Sequence, residues 1–571
     1  MDEKKKTGSY YTPKTLSDFL CKHIIQKYLG TENISVLEPS CGDGQFVKSF
    51  FHNFYTEENY KVEIDLLDIN EIELTKAIKY VPQSENLNFY CQDYLEFYLE
   101  KNRTYSLIVG NPPYIKKENL EKEQIEICEK VHHKAKEFSR KINSNHSIKN
   151  IWTAFVEAAI MSLNDDGIMC FVIPSEILQV KYAEELRAAI ADEFERVEVF
   201  AFNELIFQGV QQDVVAVIGV KHVANKMEHG FSFYQVNALE DLKEPRFTEK
   251  HSNIHRLTLD KWTNYILSDE ELNFIDESAN NFHSISHYTG KAQVGIVTAA
   301  NDYFILSDTE VRNNSIHRLK DIIKPIVPKG ELIPSTISFT EEDFYSLKSE
   351  DKRVNFLHFP NEPKKKFGKI ANNYFAKGEE DKKDGKGKLH ERFKMTKREN
   401  WYHVPSVWAS EGLFIKRSHL YPKMFVNEGN AYATDSFYRI VTKANYSIRK
   451  LVFSFYNSLT FVLAELEGRF YGGGVLELTP SEFRKLSVPY KDSITDEQFN
   501  KLDSLFRQNT RIEEVLAYTN SILIPDIDTI KLERLRKKLV DRRTKTIDST
   551  VQDSIKEDVK TIVHNNNEVA V

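Results

Sequence analysis

Asn111-Pro112-Pro113-Tyr114 follows the apolar run Leu107-Ile108-Val109-Gly110, and this turn gathers residue types suited to chemistry. Proline has no backbone N–H, so Pro112 and Pro113 leave an edge that presents acceptors rather than donors. Asn111 adds a side-chain carbonyl and Tyr114 a flat aromatic face. Acceptors beside a ring suit a planar group with an exocyclic NH2, such as an adenine amine or a carboxamide. Asn-Pro also marks ordinary strand-to-loop turns, so the turn takes its meaning from the residues upstream.

There, acids fall where strands should end: Glu38 after Ile34-Ser35-Val36-Leu37, Asp68 at the end of 62–68, and Asp93 after Asn88-Phe89-Tyr90-Cys91. Gly42 and Gly44, in the loop Pro39-Ser40-Cys41-Gly42-Asp43-Gly44, would let the backbone approach a ligand closely. This loop is not the phosphate fingerprint, because the third glycine of Gly-x-Gly-x-x-Gly is missing and Glu38 and Asp43 would repel a pyrophosphate. A cationic or amine-bearing ligand fits better. Asp68 is placed to accept hydrogen bonds from a ribose diol, and Asp93 from an adenine amine, with Tyr94 beside it. Strand-end acids also serve as helix N-caps, but their repetition at successive strand ends makes S-adenosylmethionine the expected cofactor.

These residues need a scaffold that brings strand ends together. Strands are expected at 34–38, 62–68, 88–91, 105–110 and 168–173, and near 196–202 and 213–221, with helices at 151–164 and 181–193. Alternation of strands and helices predicts an α/β, Rossmann-like domain with a mostly parallel sheet covered on both faces. Ligands bind such sheets beyond the carboxyl ends of the strands. The stretch 116–149, with nine Lys/Arg and six Asp/Glu, is a polar helical insert: either a solvated helix face or a mobile lid beside the turn.

At 571 residues the chain should hold two to four domains. Its net charge of −8 gives no global basic signature, so any nucleic-acid surface must be local. The five cysteines have spacings that suit neither zinc nor a disulfide framework, and no metal site is expected. With no long apolar run or signal segment, a cytoplasmic protein without membrane contact is expected.

Tyr11-Thr12-Pro13, the Leu37–Gly44 loop, Asp68-Ile69, Asp93-Tyr94 and Asn111–Tyr114 occur in an order that resembles the gamma-class, TaqI-like N6-adenine DNA methyltransferases. The resemblance continues through Ile151-Trp152-Thr153-Ala154-Phe155 and Ile206-Phe207-Gln208-Gly209-Val210. It implies that Tyr11 and Thr12 close over the methionine end of the cofactor, and that Glu38 contacts its amino group. Ser40 and Gly42 lie in the loop beneath. Asp68 would bind the ribose hydroxyls and Ile69 pack on the cofactor adenine. Asp93 would receive the adenine amine, with Tyr94 and Phe155 as apolar walls. Asn111 and the Pro112 carbonyl would accept from the target adenine N6, Tyr114 would stack on that base, and Phe207 would pack against it. A base inside a duplex must be extruded to reach such a site.

The expected division is a catalytic domain at 1–225 and a target-recognition domain of α+β type at 226–571, ending in a helical segment from about 525. Segments beginning Gly290-Lys291, Tyr432-Ala433 and Phe470-Tyr471 resemble the TaqI-like recognition domain. Residues 363–400 hold thirteen Lys/Arg against six Asp/Glu, and Lys364, Lys365, Lys366, Lys382 and Lys383 suit phosphate contacts. Trp401, Trp408 and Arg417 read equally as groove or core residues. The implied activity is site-specific N6-adenine methylation of double-stranded DNA by a monomer, in a restriction-modification setting with a cognate endonuclease as partner. A protein-glutamine or RNA N-methyltransferase would share the Asn-Pro-Pro-Tyr turn but not the long second half. A type I modification subunit would carry a helical domain before the cofactor motifs, and a fused restriction enzyme a nuclease module. A non-catalytic DNA-binding protein would have no reason to keep every strand-end acid.

Overall fold

A computed structural model describes residues 11–30, 33–54, 62–80, 86–143, 148–202, 204, 206–207, 213–244, 248–252, 261–380, 387–471 and 474–544. Contacts divide the chain into a unit ending at Ser268 and a second unit, Asp269–Thr544.

In chain order the first unit contains α1 (Lys14–Lys27), β1 (Ile34–Glu38), α2 (Gln45–Phe54), β2 (Val62–Asp68), α3 (Glu71–Tyr80), β3 (Leu87–Cys91), α4 (Tyr94–Glu100), β4 (Tyr105–Gly110), α5 (Lys122–Phe138) and α6 (Trp152–Met161). Then follow β5 (Leu163–Pro174), α7 (Glu184–Glu193), β6 (Arg196–Phe202), β7 (Val214–Val220), β8 (Gly230–Val236) and β9 (Thr248–Ser252). Among the described residues the strands form one sheet in the order β3-β2-β1-β4-β5-β7-β6-β8-β9. β3 through β5 are parallel, while β7 runs antiparallel to both β5 and β6. The strand order reverses direction between β1 and β4, and in such sheets the crevice for ligands opens at that point. Val214-Val215-Ala216-Val217-Ile218-Gly219-Val220 is buried throughout, so it reads as a continuous apolar run rather than an alternating one.

The sheet extends beyond the boundary expected after residue 225. β8 pairs with β6 from Arg196↔Gly230 to Phe202↔Val236, and β9 pairs with β8. The cofactor motifs stop at about 210, but they report where chemistry ends, not where the core ends. The charged stretch after the Asn111–Tyr114 turn also differs from a lid. Cys128, Val131 and Ala135 of α5 are buried, and His132 Nδ1 lies 2.8 Å from the buried Glu157 Oε1 of α6. α5 is therefore an amphipathic helix packed on the domain, with its charges on the solvent face.

α1 is pinned to the sheet by a buried carboxylate. Glu198 of β6 lies 2.6 Å from His23 Nε2, 2.8 Å from Lys27 Nζ and 2.9 Å from Arg196, and accepts from the Tyr28 hydroxyl at 2.6 Å. Burial alone would raise its pKa, but His23 and Lys27 hold the carboxyl well below the ordinary range.

The second unit contains, among its described residues, a five-stranded and a four-stranded sheet and a three-stranded one. Its three motif segments meet. Gly295 N–H donates to the Phe437 carbonyl at 2.9 Å and Ile296 N–H to the Ala433 carbonyl at 2.8 Å. A side chain on Gly295 would lie 1.9 Å from the Thr434 carbonyl oxygen, so only glycine fits there. The Tyr438 hydroxyl donates to the Leu478 carbonyl at 2.5 Å. The helix Thr529–Thr544 packs on Ser458–Glu467, where buried Arg543 pairs with Glu465 at 3.0 Å. Trp401 belongs to the core of this unit, Trp408 lies under the Arg439 guanidinium at 4.0 Å, and exposed Arg417 pairs with Glu477.

Candidate active site

β1 and β2 run parallel from Ile34↔Val62 to Glu38↔Leu66, so the loops leaving them emerge side by side. Cys41 N–H donates to the Leu67 carbonyl, and Gly42 N–H to Asp68 Oδ2, both at 2.8 Å. Asp68 Oδ1 accepts from Asn70 N–H at 2.8 Å. Burial raises the Asp68 carboxyl above its ordinary range, and these two N–H groups oppose the shift. Beside it Ile69 is 68% exposed, an uncovered apolar surface next to a carboxylate.

The two glycines differ in purpose. Gly42 (φ +51°) and Gly44 (φ +80°) both take left-handed backbone. A side chain at Gly42 would face the Tyr11 ring, 3.6 Å away, whereas one at Gly44 would lie 2.9 Å from Ala77 of α3. Gly44 thus serves the turn and the close packing of α3. The expected approach of a ligand fits Gly42 alone, because protein already fills the space at Gly44. Thr12 is buried and Tyr11 half exposed; partial burial and then Glu73 push its phenol up to about 12.

Glu38 is buried and its Oε2 accepts from Val47 N–H at 3.1 Å. Burial pushes this carboxyl well above the usual range, and the charges of Asp43 and Asp68 add to the shift. A carboxylate raised in this way favours a ligand that brings a positive charge.

The turn after β4 is tied to the loop after β1. Val36 pairs with Leu107 and Leu37 with Ile108, and the Ser40 hydroxyl donates to the Asn111 carbonyl at 3.1 Å. The Ser40 hydroxyl thus helps to fix the Asn111 backbone. Pro112 is buried. Tyr114 is also buried, with its hydroxyl 2.5 Å from Asn111 Oδ1 and 2.9 Å from the Val172 carbonyl of β5. The Phe207 ring sits 6.4 Å from that of Tyr114 at 55°. The structure thus brings Asn111, Pro112, Tyr114 and Phe207 together. Gln208, Gly209 and Val210 of the same motif lie outside the described residues.

Asp93 is the N-cap of α4, with Oδ1 accepting from Leu95 N–H at 2.7 Å and Glu96 N–H at 3.4 Å. The capping use of a strand-end acid therefore holds for Asp93, and both bonds fall on one oxygen. Tyr94 and Phe155 are buried with ring centroids 5.2 Å apart, and form a packed apolar pair adjoining the cap. Of the lysines expected on phosphates, Lys364 pairs with Glu379, and Lys366 lies 3.7 Å from Glu362. Lys365 is exposed. Lys382 and Lys383 lie outside the described residues. Local acids compete for two of these cations, which a count of charges along the sequence does not reveal. The Ser40–Asn111 and Tyr114–Val172 bonds end on backbone carbonyls, so no side-chain pattern signals them.

Together the edge offers carboxylates, an exposed isoleucine, a half-exposed tyrosine and an acceptor-lined aromatic turn. That donor set suits a ligand with an ammonium group, a diol and a flat apolar part, next to a second planar group bearing an amine.

Residues 19–207 match the family described as Eco57I restriction-modification methylase, and residues 259–524 match Type II methyltransferase M.Eco57I, C-terminal domain. Type II methyltransferase M.AccI of Acinetobacter calcoaceticus is 24% identical over 555 residues, covering 92% of this chain and 94% of that one. Type II methyltransferase M.BanIII of Aneurinibacillus aneurinilyticus is 21% identical over 515 residues, 77% of this chain and 82% of the other. Type II restriction enzyme and methyltransferase RM.Eco57I of Escherichia coli is 23% identical over 270 residues, 45% of this chain but 25% of that protein.

Proposed function

We infer that this chain, a relative of the type II restriction-modification methyltransferases, methylates DNA, and specifically N6 of an adenine turned out of the duplex. S-adenosylmethionine is the methyl donor. The observation that carries the reading is the Ser40–Asn111 bond, which fixes an amine-accepting turn beside the acid-bearing loop of the neighbouring strand. The motif order, with the cofactor loop ahead of the amine-binding turn, favours the gamma-class, TaqI-like group.

The donor supplies an electrophilic methyl group on a sulfonium. Glu38 would meet its ammonium group, Asp68 its ribose hydroxyls, and Ile69 its adenine. Asn111 Oδ1 and the Pro112 carbonyl accept the two hydrogens of the target amine. An aromatic amine is a weak nucleophile because its lone pair is delocalised into the ring. Two acceptors out of the ring plane favour a pyramidal nitrogen with a localised pair, and this preference grows as positive charge develops on nitrogen. Tyr114 and Phe207 hold the extruded base; stacking returns roughly 1–3 kcal/mol per base against an unstacking cost of a few kcal/mol. Recognition of the site and contact with phosphates fall to the second unit, with Lys365 a phosphate contact, and a separate cognate endonuclease is the proposed partner.

The test is transfer of tritiated methyl from S-adenosylmethionine to duplex DNA, followed by nucleoside analysis. N6-methyladenine is the expected product; N4-methylcytosine, which the same turn accommodates, would overturn the adenine assignment. Tyr114→Ala should abolish most of the 2-aminopurine fluorescence rise at the target position, and an unchanged rise would remove Tyr114 from base capture.

The raised carboxyls give a pH prediction. Glu38 and Asp68 lie above the ordinary carboxylate range of about 4, so they protonate first as pH falls. Binding of S-adenosylhomocysteine, followed by calorimetry, should weaken on acidification with a midpoint above that range. A carboxyl raised by folding lends stability below its unfolded pKa and loses it as pH rises through the folded value. At neutral pH Glu38→Gln should therefore raise the Tm of the ligand-free chain while weakening S-adenosylhomocysteine binding about 10–100-fold.

A further inference from the structure

We propose that Phe393 is a contact residue for nucleobases, presented to DNA by a small basic platform in the second unit. The proposal rests on DNA being the substrate and adds a contact that the family motifs do not contain. Phe393 is 76% exposed, a large apolar ring left in water. It opens the short helix Phe393–Thr396, whose neighbour Met395 is fully buried; Leu389, just upstream, is buried as well. Both belong to the core of this unit, so the ring is held out from a fixed base rather than from a trailing loop. Lys394 and Lys397 flank it, both exposed, and the Lys397 ammonium lies 5.3 Å from the centre of the ring. The nearby acids are already engaged: Glu391 lies 3.8 Å from Lys388, and Glu399 accepts from Asn361 at 2.6 Å. The surrounding segment 363–400 carries a surplus of seven positive charges in a chain of net −8.

A lone exposed aromatic needs no explanation by itself, and the molecule contains its own control. Tyr345 is similarly exposed, at 63%, but it sits in the helix Glu341–Ser349, which starts with Glu341, Glu342 and Asp343. Polyanionic DNA is repelled there and attracted at Phe393. Cations that anchor phosphates beside a ring that can stack on a base form a recurrent solution for nucleic-acid binding.

Binding of the full chain to a labelled duplex, followed by anisotropy across a salt series, tests this. Phe393→Ala should weaken binding about 10-fold without changing the salt dependence, because stacking releases no counterions. Phe393→Trp should restore binding. Lys394→Gln with Lys397→Gln should reduce the logarithmic salt slope by about 2. Tyr345→Ala should bind like wild type, and the melting temperature of Phe393→Ala should be unchanged. Equal affinities for Phe393→Ala and wild type overturn the proposal while leaving methylation by the wild type intact. A wild-type chain that does not bind DNA overturns both readings.

Discussion

Replacing Asn111 by alanine is expected to lower kcat by about 10²–10³-fold, the scale seen when one preorganised polar group facing developing charge is removed. Duplex affinity should change by less than roughly threefold, because most DNA contacts lie on phosphates away from the reacting base. The split follows from when the interaction matters. Asn111 Oδ1 meets an amine that is flat and neutral before reaction and pyramidal and positive at the transition state, so its acceptor gains strength along the reaction path. The loss therefore appears in kcat and not in KM for DNA. Tyr114→Phe provides the finer control, since it keeps the ring and removes the hydroxyl that bonds Asn111 Oδ1 at 2.5 Å. A turnover loss of about 3–10-fold, with the 2-aminopurine signal retained, would show that this hydroxyl orients the amide. Single-turnover methylation by Asn111→Ala at the wild-type rate would remove Asn111 from the chemistry.

Replacing Glu198 by alanine is expected to destabilise the first unit by about 3–5 kcal/mol, the cost of leaving buried charges without their partner. Arg196 is 3% exposed and shares this carboxylate with His23 and Lys27. Thermal unfolding should show a fall in Tm of about 10 °C. The consequence reaches the site through α1, which begins directly after Tyr11, Thr12 and Pro13 and is tied to β6 only at its far end by this cluster among the hydrogen bonds described. S-adenosylhomocysteine affinity should fall with it, and Glu198→Gln should lose less of both, since the amide retains an acceptor for Tyr28. A Tm within 1–2 °C of wild type for Glu198→Ala, well short of the expected shift, would show that α1 is held by packing alone.

The strand-end acids, the two prolines and the order of segments were legible because they are local. A strand that ends in an acid does so whatever packs on it, and alternating apolar and polar periods fix element types over five to fifteen residues. The resemblance to a methyltransferase domain rests on such short blocks, and the structure places Tyr114 against Asn111 and Phe207. The structure adds a second use to residues that sequence read for one. Asp93 caps α4 through Oδ1 alone, and the Ser40 hydroxyl donates to the Asn111 carbonyl.

By itself, then, the sequence determined the α/β class, the acids at the carboxyl ends of the strands, and the acceptor-rich make-up of the turn at 111–114. Only the tertiary structure decided that Gly44 yields its space to Ala77, that the sheet continues through β8 and β9, that α5 packs rather than hangs free, and that Glu198 gathers His23 and Lys27 of α1, Tyr28 just after it, Arg196 of β6 and Tyr234 of β8. The physical reason is range. Backbone propensity and turn chemistry act between neighbours in sequence, whereas desolvation, packing volume and the pairing of buried charge depend on which distant segments close the same space.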